Sequence, residues 1–252
     1  TMPIVADLIA QQDLYHHFQP IFRLRDKQPL GYEALIRSRT VARIDKLFKA
    51  AVQEGLLYEL DTLSVYNAIV VYFSEGERRA SGDYLFVNIF PSSLIVAEFP
   101  GFIEKVVGAY REFAHRIVFE INEAMSDMQD WNNPLFLQNV TLLRQHGFLV
   151  AFDDVGEGAA TLKRMVEIAP DFIKMDRFFG KNLAGSAKKQ KIVKFFVDYC
   201  AEDSKLILEG IEEAEDLAQA GSLGVTLGQG YLLAKPDLLP GIGATAFRSI
   251  DD

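Results

Sequence analysis

Short apolar runs alternate along the chain with longer segments of helical periodicity. An unbroken apolar run such as FLVAF is typical of a strand buried on both faces, as in a parallel sheet. Turn-forming residues bound most of these runs, which supports their assignment as strands. Eight such runs predict strands over residues 18–24, 30–38, 84–89, 116–121, 148–152, 172–175, 206–208 and 225–227.

The segments between the runs predict helices over residues 2–17, 42–54, 59–74, 101–110, 133–146, 159–168, 177–183, 187–202 and 212–220, with a charged loop over 76–83. Strands and helices in turn, with short connections, are typical of parallel crossover units. Eight strands in 252 residues favour an α/β fold of the (β/α)₈ barrel type in one domain over residues 1–252. The hairpin-like link between the first two strands indicates that one of them runs antiparallel.

Charged or amide side chains recur near the ends of the predicted strands. In a barrel the carboxyl ends of the strands lie at one rim, where barrel active sites are built. One polar strand end is unremarkable, because strands must end somewhere, but a residue at each of several ends is not well explained by solvation. The set comprises Asn88, Glu120, Asp153, Asp154, Lys174 and Glu209, and Glu33 lies inside the otherwise apolar strand 30–38.

The donor atoms of this set suit a hard divalent cation. Carboxylate and amide oxygens without imidazole or thiolate favour Mg²⁺ or Mn²⁺, and we expect Ca²⁺ to inhibit. The four histidines, at positions 16, 17, 115 and 146, fall at no predicted strand end, which argues against zinc. A carboxylate cluster beside a lysine fits metal-assisted hydrolysis of a phosphodiester. The candidate metal ligands are Glu33, Asn88, Glu120, Asp153 and Asp154.

Composition limits the binding partners and the cellular location that we expect. A net charge of −9 argues against a general nucleic-acid binder, so we expect no DNA partner. A membrane span needs roughly 20 consecutive apolar residues, and no stretch of the sequence has them. We therefore expect no membrane span within residues 1–252. The single cysteine, Cys200, allows no internal disulfide and fits a reducing compartment. The expected location is the cytoplasm.

Several ordered motifs point to one family. Glu33-Ala34-Leu35 with Arg37 is followed by Asn88 in FVNIFPSSL, and later by Asp153-Asp154 before a Gly-x-Gly loop. Through these motifs the chain resembles the EAL domains over essentially its whole length. EAL domains are phosphodiesterases that act on cyclic di-GMP. The remaining matching blocks are Phe18-Gln19-Pro20-Ile21, Glu120 with Glu123, IKMD, EGIE, and QGY with Lys235-Pro236.

The resemblance implies a role for each matching position. It implies that Glu33, Asn88, Glu120 and Asp153 bind metal, that Asp154 reaches a second metal, and that Lys174 positions or polarises the attacking water. Glu209 resembles a carboxylate that acts either as general base or as a partner of a metal-coordinated water. Arg37 would pair with a phosphate, with an ordinary strand-end salt bridge as the alternative. Gln19 and Gln229 would contact the ligand or order the site, and Glu123 and Glu212 would brace the loop after Asp154.

The resemblance also implies a barrel with an antiparallel first strand, a two-metal site and a homodimer formed through helices beside that loop. Sensor or GGDEF domains would flank such a segment in a longer chain.

The loop itself departs from the family pattern of Asp-Phe-Gly-Thr-Gly followed by Tyr-Ser-Ser. Val155 replaces an aromatic residue, Glu157 adds an anion, and Ala159 and Ala160 lack hydroxyls. We therefore weigh an active hydrolase against a receptor or interaction module that turns over little cyclic di-GMP.

Overall fold

The computed structural model describes residues 5–122, 128–156 and 161–251. Eight strands close into a barrel in which neighbours around the ring are neighbours along the chain. The barrel class predicted from the alternating pattern is thereby confirmed. The strands are β1 (Leu14–Arg23), β2 (Gln28–Ser38), β3 (Tyr84–Ile89), β4 (Ile117–Asn122), β5 (Leu149–Val155), β6 (Phe172–Met175), β7 (Lys205–Leu208) and β8 (Leu227–Gly228).

The first strand runs against the others. Strand β1 pairs antiparallel with β2 and with β8, whereas every other neighbouring pair is parallel. Only residues 24–27 connect β1 to β2. A link this short can join antiparallel strands but cannot make a parallel crossover. The antiparallel strand expected from the hairpin-like link is confirmed.

Helices cover the outside of the barrel. They bury leucine, valine, isoleucine and phenylalanine side chains against the outward face of the strands. None of the helices in the described ranges has the length and apolar composition to cross a bilayer. The helices are α1 (Val5–Ala10), α2 (Ile44–Glu54), α3 (Leu57–Tyr72), α4 (Gly76–Ser81), α5 (Phe99–Tyr110), α6 (Met128–Asn132), α7 (Pro134–Gln145), α8 (Thr161–Ile168), α9 (Arg177–Gly180), α10 (Ala187–Cys200) and α11 (Ala214–Ser222), with 3₁₀ turns at Pro91–Ile95 and Arg111–Arg116.

The predicted helix over residues 2–17 is wrong in its second half. Helix α1 ends at Ala10, and β1 begins at Leu14, four residues before the predicted strand. From Leu14 to His17 buried and half-buried residues alternate, which is the two-residue period of a strand. Pairing with the full length of β2, from Leu14 opposite Ser38 onwards, decides the conformation of these residues.

The segment predicted as a charged loop contains helix α4, which buries no side chain. Instead, a side chain from another part of the chain forms hydrogen bonds with its backbone carbonyl groups. The guanidinium of Arg116 donates to the carbonyl oxygens of Arg78 and Arg79, at 2.8 and 2.7 Å, and to that of Asp83 at 2.9 Å. A helix stabilised in this way has no amphipathic pattern, so its sequence did not predict it.

Other element ends differ from the predictions by a few residues. Strand β8 lies at Leu227–Gly228 rather than at 225–227, α9 ends at Gly180 rather than at residue 183, and α11 is shifted two residues downstream of 212–220. Residues 159 and 160 of the predicted helix 159–168 lie outside the described residues. Helix ends depend on capping contacts that periodicity does not report.

A layer of buried apolar side chains lies inside the barrel. Seven strands each contribute one buried side chain to it, so the barrel is a packed core and not a channel. The layer closes the barrel below the rim at which the parallel strands end, and it forms the floor of whatever lies there. Its members are Ile21, Phe86, Val118, Ala151, Phe172, Ile207 and Leu227.

Candidate functional site

A polar layer lies directly above the apolar one, and strand periodicity explains its position. Successive side chains of a strand point to opposite faces, so residues two apart share a face. Each parallel strand from β3 to β8 places a polar residue two positions after its member of the apolar layer, and antiparallel β1 places Gln19 two positions before Ile21. The pairs in β3 to β8 are Phe86 with Asn88, Val118 with Glu120, Ala151 with Asp153, Phe172 with Lys174, Ile207 with Glu209, and Leu227 with Gln229.

The adjacent carboxylates Asp153 and Asp154 need a different explanation, because neighbours in a regular strand face opposite sides. The register between β5 and β6 shifts between Phe152 and Val155, and Asp154 adopts a left-handed backbone with φ of 53°. A bulge of this kind redirects side chains beside active sites. Carboxylate oxygens of Asp153, Asp154 and Glu209 consequently lie within 4.8 Å of one another.

Lys174 lies at the centre of the polar layer and is fully buried. Its Nζ lies 2.9 Å from Glu33 Oε2, 3.0 Å from Glu120 Oε1, 3.4 Å from Asp153 Oδ1 and 3.4 Å from Glu209 Oε1. One ammonium group therefore faces four carboxylates. A fifth carboxylate, that of Asp154, lies beyond 4 Å from this ammonium in the described structure.

Glu33 is held by hydrogen bonds from three directions. Asn88 Nδ2 donates to Oε1 at 3.1 Å, while Lys174 Nζ and Gln229 Nε2 donate to Oε2 at 2.9 and 2.7 Å. Gln229 also donates to Gln19 Oε1 at 3.1 Å, and Gln19 donates to the carbonyl oxygen of Ala234 at 3.1 Å. Both glutamines are buried, so the structure gives them an ordering contact with Glu33, and ligand contact by either one stays a prediction.

The charge balance of the layer is strongly negative. Burial raises the pKa of Glu120 and of Glu209 well above the usual range, and it raises the pKa of Asp153 to about 7. Burial alone would lower the pKa of Lys174, but Asp153, Glu120, Glu209 and Glu33 together raise it. The protein therefore keeps its lysine charged and disfavours simultaneous ionisation of the carboxyls.

This arrangement fits a divalent cation. Glu120 Oε1 and Asp153 Oδ1 are buried without a hydrogen bond, although Lys174 Nζ lies 3.0 and 3.4 Å away, outside hydrogen-bond geometry. Buried carboxylate oxygens without hydrogen bonds are costly, and the single charge of Lys174 cannot balance four carboxylates. The two groups of side chains in the described structure that could hold an ion, Glu33–Glu120–Asp153 and Asp153–Asp154–Glu209, contain carboxylates alone. Such donors suit a hard cation such as Mg²⁺, Mn²⁺ or Ca²⁺.

The histidine argument made from the sequence needs one correction. Because β1 runs antiparallel, its first half lies beside the rim end of β2, with His17 opposite Leu35. The sequence placed His16 and His17 before the strand predicted over residues 18–24, and so away from the rim. In the structure they lie in β1, close to the rim end of β2. Neither belongs to a group that could hold an ion, and burial lowers the pKa of His16 to about 3.

The other predicted site residues lie further from the polar layer. Arg37 is half-buried near the rim end of β2, and its Nη1 donates to the carbonyl oxygen of Ile36 at 2.9 Å. Glu212 forms a surface ion pair with Lys181 at 3.0 Å. Glu123 lies outside the described residues, as do Glu157, Ala159 and Ala160, whereas Val155 is buried in β5. The bracing roles predicted for Glu123 and Glu212 stay predictions.

Two features of the rim were missed from the sequence. Asn122, the last residue of β4, donates from Nδ2 to Asp154 Oδ2 at 2.7 Å. A cavity of about 160 Å³ also opens beside the polar layer, lined by Arg37, Phe48, Asp61, Asn88 and Phe90 among others. Counting polar residues two positions beyond Glu120 would have found Asn122, but the cavity walls come from distant elements.

Known proteins resemble the chain in sequence. A model of the EAL domain family matches residues 4–236. The probable cyclic di-GMP phosphodiesterase PdeI of Escherichia coli is 30% identical over 234 residues, which are 89% of this chain and 29% of that protein. For the probable phosphodiesterase PdeA of the same species the identity is 28% over 240 residues, 93% of this chain and 32% of PdeA. The chain therefore spans about a third of the length of these relatives.

Solved structures agree with the barrel described above. A manganese and cyclic di-GMP complex of Klebsiella pneumoniae BlrP1 superposes with a TM-score of 0.79 at 26% identity, covering 91% of this chain and 57% of BlrP1. The EAL enzyme Bd1971, bound to cAMP and cyclic di-GMP, superposes with a TM-score of 0.82 over 93% of this chain and 65% of its own. At 22% identity the second likeness shows the fold alone. The family match covers nearly the whole chain and the barrel agrees with it, so the chain belongs to the EAL domain family.

Proposed function

We propose that the chain is a divalent-metal-dependent phosphodiesterase that hydrolyses cyclic di-GMP to linear pGpG. The observation that supports it most is the polar layer, in which five carboxylates and one buried lysine meet at the rim of the barrel. The sequence relatives PdeA and PdeI, named as probable cyclic di-GMP phosphodiesterases, agree with this activity. Because those proteins are about three times as long, the activity of the whole protein is part of the proposal.

The metal would be Mg²⁺ or Mn²⁺ in a two-ion site, with Ca²⁺ as an inhibitor. The residues that would hold a first ion are Glu33, Asn88, Glu120 and Asp153, and Asp154 would reach a second. Their oxygen donors support hard cations over zinc. When bound, the ions would supply positive charge beside the phosphate and make a water molecule more acidic.

The protein's own groups would handle the water and its proton. Lys174, held by four carboxylates, would position the attacking water through its N–H donors. Glu209 is the least buried of those four carboxylates and would accept the proton, with a part in holding the water as the other role open to it. The hydroxyl joins phosphorus, the bond from phosphorus to the 3′ oxygen breaks, and that oxygen takes up a proton to give pGpG.

The rim cavity would bind part of the ligand. Its walls combine apolar side chains, among them Phe48 and Phe90, with the guanidinium of Arg37 and the carboxyl of Asp61. A purine base fits such a mixture of flat apolar surface and polar groups. Arg37 at its edge would contact a phosphate, for which its planar donors are well suited.

A second candidate function is a receptor that binds cyclic di-GMP with little turnover. The departures in the loop after Asp154 favour it, since Val155 leaves no aromatic side chain there and Glu157 adds an anion three positions after Asp154 in the sequence. The two functions differ in their product, so a direct assay separates them.

Incubation of the purified protein with cyclic di-GMP and Mn²⁺ is expected to yield pGpG, resolved by chromatography. Chelation should abolish the product, because the carboxylates alone repel the phosphate. Replacing Mn²⁺ by Ca²⁺ should keep binding, measured by calorimetry, and suppress turnover. Tight binding without product in Mn²⁺ would establish the receptor instead, and the absence of both would leave protein contacts as the role of the domain.

We also propose that residues 1–252 act as one EAL-type domain of a longer cytoplasmic chain that carries sensor or GGDEF domains. The supporting facts are the single closed barrel and the large part of each sequence relative that lies beyond this match.

A homodimer through α8 and α10 is the assembly we propose. These helices follow neighbouring strands β5 and β6 and carry exposed apolar residues at helical spacing. Leu162 and Val166 are 61% and 72% exposed, and α10 adds Ile192, Phe195 and Tyr199. Residues four apart share one helix face, so these side chains form a surface suited to a second copy.

Val166→Lys is expected to weaken self-association at least about tenfold, because a charge would be buried in an apolar contact. Sedimentation velocity over a concentration series measures the change. Val52→Lys is the matched control, since Val52 is 60% exposed on α2, away from the proposed interface. Equal behaviour of the two variants would contradict the assignment of the interface to α8 and α10.

A further inference from the structure

Asn122 links two strands at the rim through its side chain. Its backbone pairs with Asp153 in the ladder between β4 and β5, and its Nδ2 donates to Asp154 Oδ2 at 2.7 Å. It lies two residues after Glu120, at the last position of β4. A side chain on the strand of one candidate ligand therefore contacts the carboxylate of another.

The backbone of Asp154 explains why such a contact matters. A left-handed conformation with φ of 53° costs a residue other than glycine about 1–3 kcal/mol, and surrounding contacts must maintain it. The bulge in β5 also removes Asp154 from the regular pairing with β6. Regular strand geometry therefore does not fix the orientation of the Asp154 carboxylate. A contact with a neighbouring side chain has to fix it instead.

Lys174 does not perform this task in the described structure. Its ammonium lies within 4 Å of Glu33, Glu120, Asp153 and Glu209, and Asp154 is not among its ion pairs. Asn122 supplies the hydrogen bond to Asp154 instead. An amide donates without adding charge, so it restrains one oxygen of Asp154 and leaves the negative charge of the carboxylate available.

We propose that Asn122 is a positioning residue that holds Asp154 ready to bind a second divalent cation. This inference rests on the proposed metal-dependent function. Hydrogen bonds that orient ligand side chains typically change metal affinity 10–100-fold when they are lost. Asn122 also lines the rim cavity, so a direct contact with the nucleotide and direct binding of metal are the two roles to be distinguished from positioning.

The test is Mn²⁺ binding without nucleotide, measured by calorimetry on wild type, Asn122→Leu and Asn122→Asp. In Asn122→Leu we expect the Mn²⁺ affinity of the weaker of the two sites to fall about tenfold. The affinity of the tighter site should change less than twofold. Asn122→Asp should lower the affinity of the weaker site as well, because a carboxylate cannot donate to Asp154 and repels it. If Asn122 bound the metal directly, Asn122→Asp would preserve or strengthen binding, and the proposal would be overturned.

A double-mutant cycle with Asp154→Ala tests whether the effect passes through Asp154. In that background Asn122→Leu is expected to have no further effect on Mn²⁺ binding. A full tenfold effect there would overturn the inference, as would a rise in KM for cyclic di-GMP at saturating Mn²⁺ with Mn²⁺ affinity unchanged, which would show a contact with the nucleotide.

Asn139→Leu is the matched control. Asn139 is buried and donates to the carbonyl oxygen of Leu94 at 2.6 Å, away from the carboxylates, so its loss should lower the unfolding midpoint and spare Mn²⁺ binding. If Asn122→Leu does not fold, Asn122→Ala, which also lacks a donor, carries the same comparison beside Asn122→Asp. Binding of Mn²⁺ without turnover would refute the proposed hydrolase and leave this inference intact, whereas a wild type that binds only one Mn²⁺ would refute the inference.

Discussion

Lys174→Met should abolish turnover and destabilise the metal-free protein at pH 8. Lys174 is the one cation within 4 Å of Glu33, Glu120, Asp153 and Glu209 among the described residues, and it is fully buried. Methionine fills a similar volume without charge. Removing one partner of a buried ion pair costs about 3 kcal/mol, which lowers the midpoint of a protein of this size on the order of 10 °C.

The pH dependence of that loss has a definite sign. Burial raises the pKa of Asp153 to about 7 from its ordinary value of 3.8. Between these two values the folded protein holds a proton that the unfolded chain has released, so stability falls as the pH rises through this window. Burial raises the pKa of Glu120 and Glu209 in the same direction, while Lys174 lowers all three. The variant should therefore lose more stability at pH 8 than at pH 6.

Thermal unfolding at both pH values, with chelator and with Mn²⁺, measures these effects, and chromatographic assay of pGpG measures turnover. Mn²⁺ should restore part of the stability at pH 8, because a cation would replace the lost positive charge. Lys105→Met is the matched control, since Lys105 is 55% exposed in a surface pair with Asp251 that contributes little. Turnover of Lys174→Met within tenfold of wild type would contradict the role assigned to Lys174.

Much of the polar layer could be predicted because strand ends are visible in the sequence. Asn88, Glu120 and Lys174 each lie near the end of a short apolar run, and barrel topology brings such ends together. The structure adds the reason for their shared face. Each lies two residues beyond a member of the apolar floor, and that period could have been counted in the sequence.

The features that were missed depend on contacts between distant segments. Residues 14–17 read as helix because their pairing with β2 cannot be seen locally. The bulge that turns Asp154 toward Glu209 arises from a register shift against β6, and an isolated strand pattern would send Asp154 away from Asp153. Helix α4 depends on Arg116, more than thirty residues further along the chain.

These same distant contacts distinguish the carboxylates from one another. Asp154 is aimed by a strained backbone and an amide, whereas Glu33 lies on a regular strand and receives three donors. Burial alone would raise the pKa of Glu33, but Lys174, Asn88 and Gln229 lower it below the usual value. Glu33 is therefore the carboxyl that the fold keeps ionised. Removal of its charge should have the largest effect on activity among these carboxyls.

Glu33→Gln is expected to lower kcat on the order of 1,000-fold or more, because the loss of a metal ligand removes several kcal/mol of charge stabilisation. The substitution preserves shape and removes charge. Oxygen Oε1 accepts from Asn88 and Oε2 from Lys174 and Gln229, so either orientation of the new amide turns an N–H group against a donor. Loss of an acceptor for a buried donor costs about 1–3 kcal/mol, so the variant should also unfold more readily.

Turnover, Mn²⁺ affinity by calorimetry and thermal unfolding separate the two consequences of Glu33→Gln. Glu112→Gln is the matched control, because Glu112 forms an exposed pair with Arg79 far from the carboxylates. If Glu33 both binds metal and organises its neighbours, Mn²⁺ affinity should fall at least about tenfold and the unfolding midpoint should fall with it. A variant that unfolds earlier yet binds Mn²⁺ and hydrolyses cyclic di-GMP like wild type would restrict Glu33 to a structural role. The metal would then have to be held by Asn88, Glu120, Asp153 and Asp154 without it.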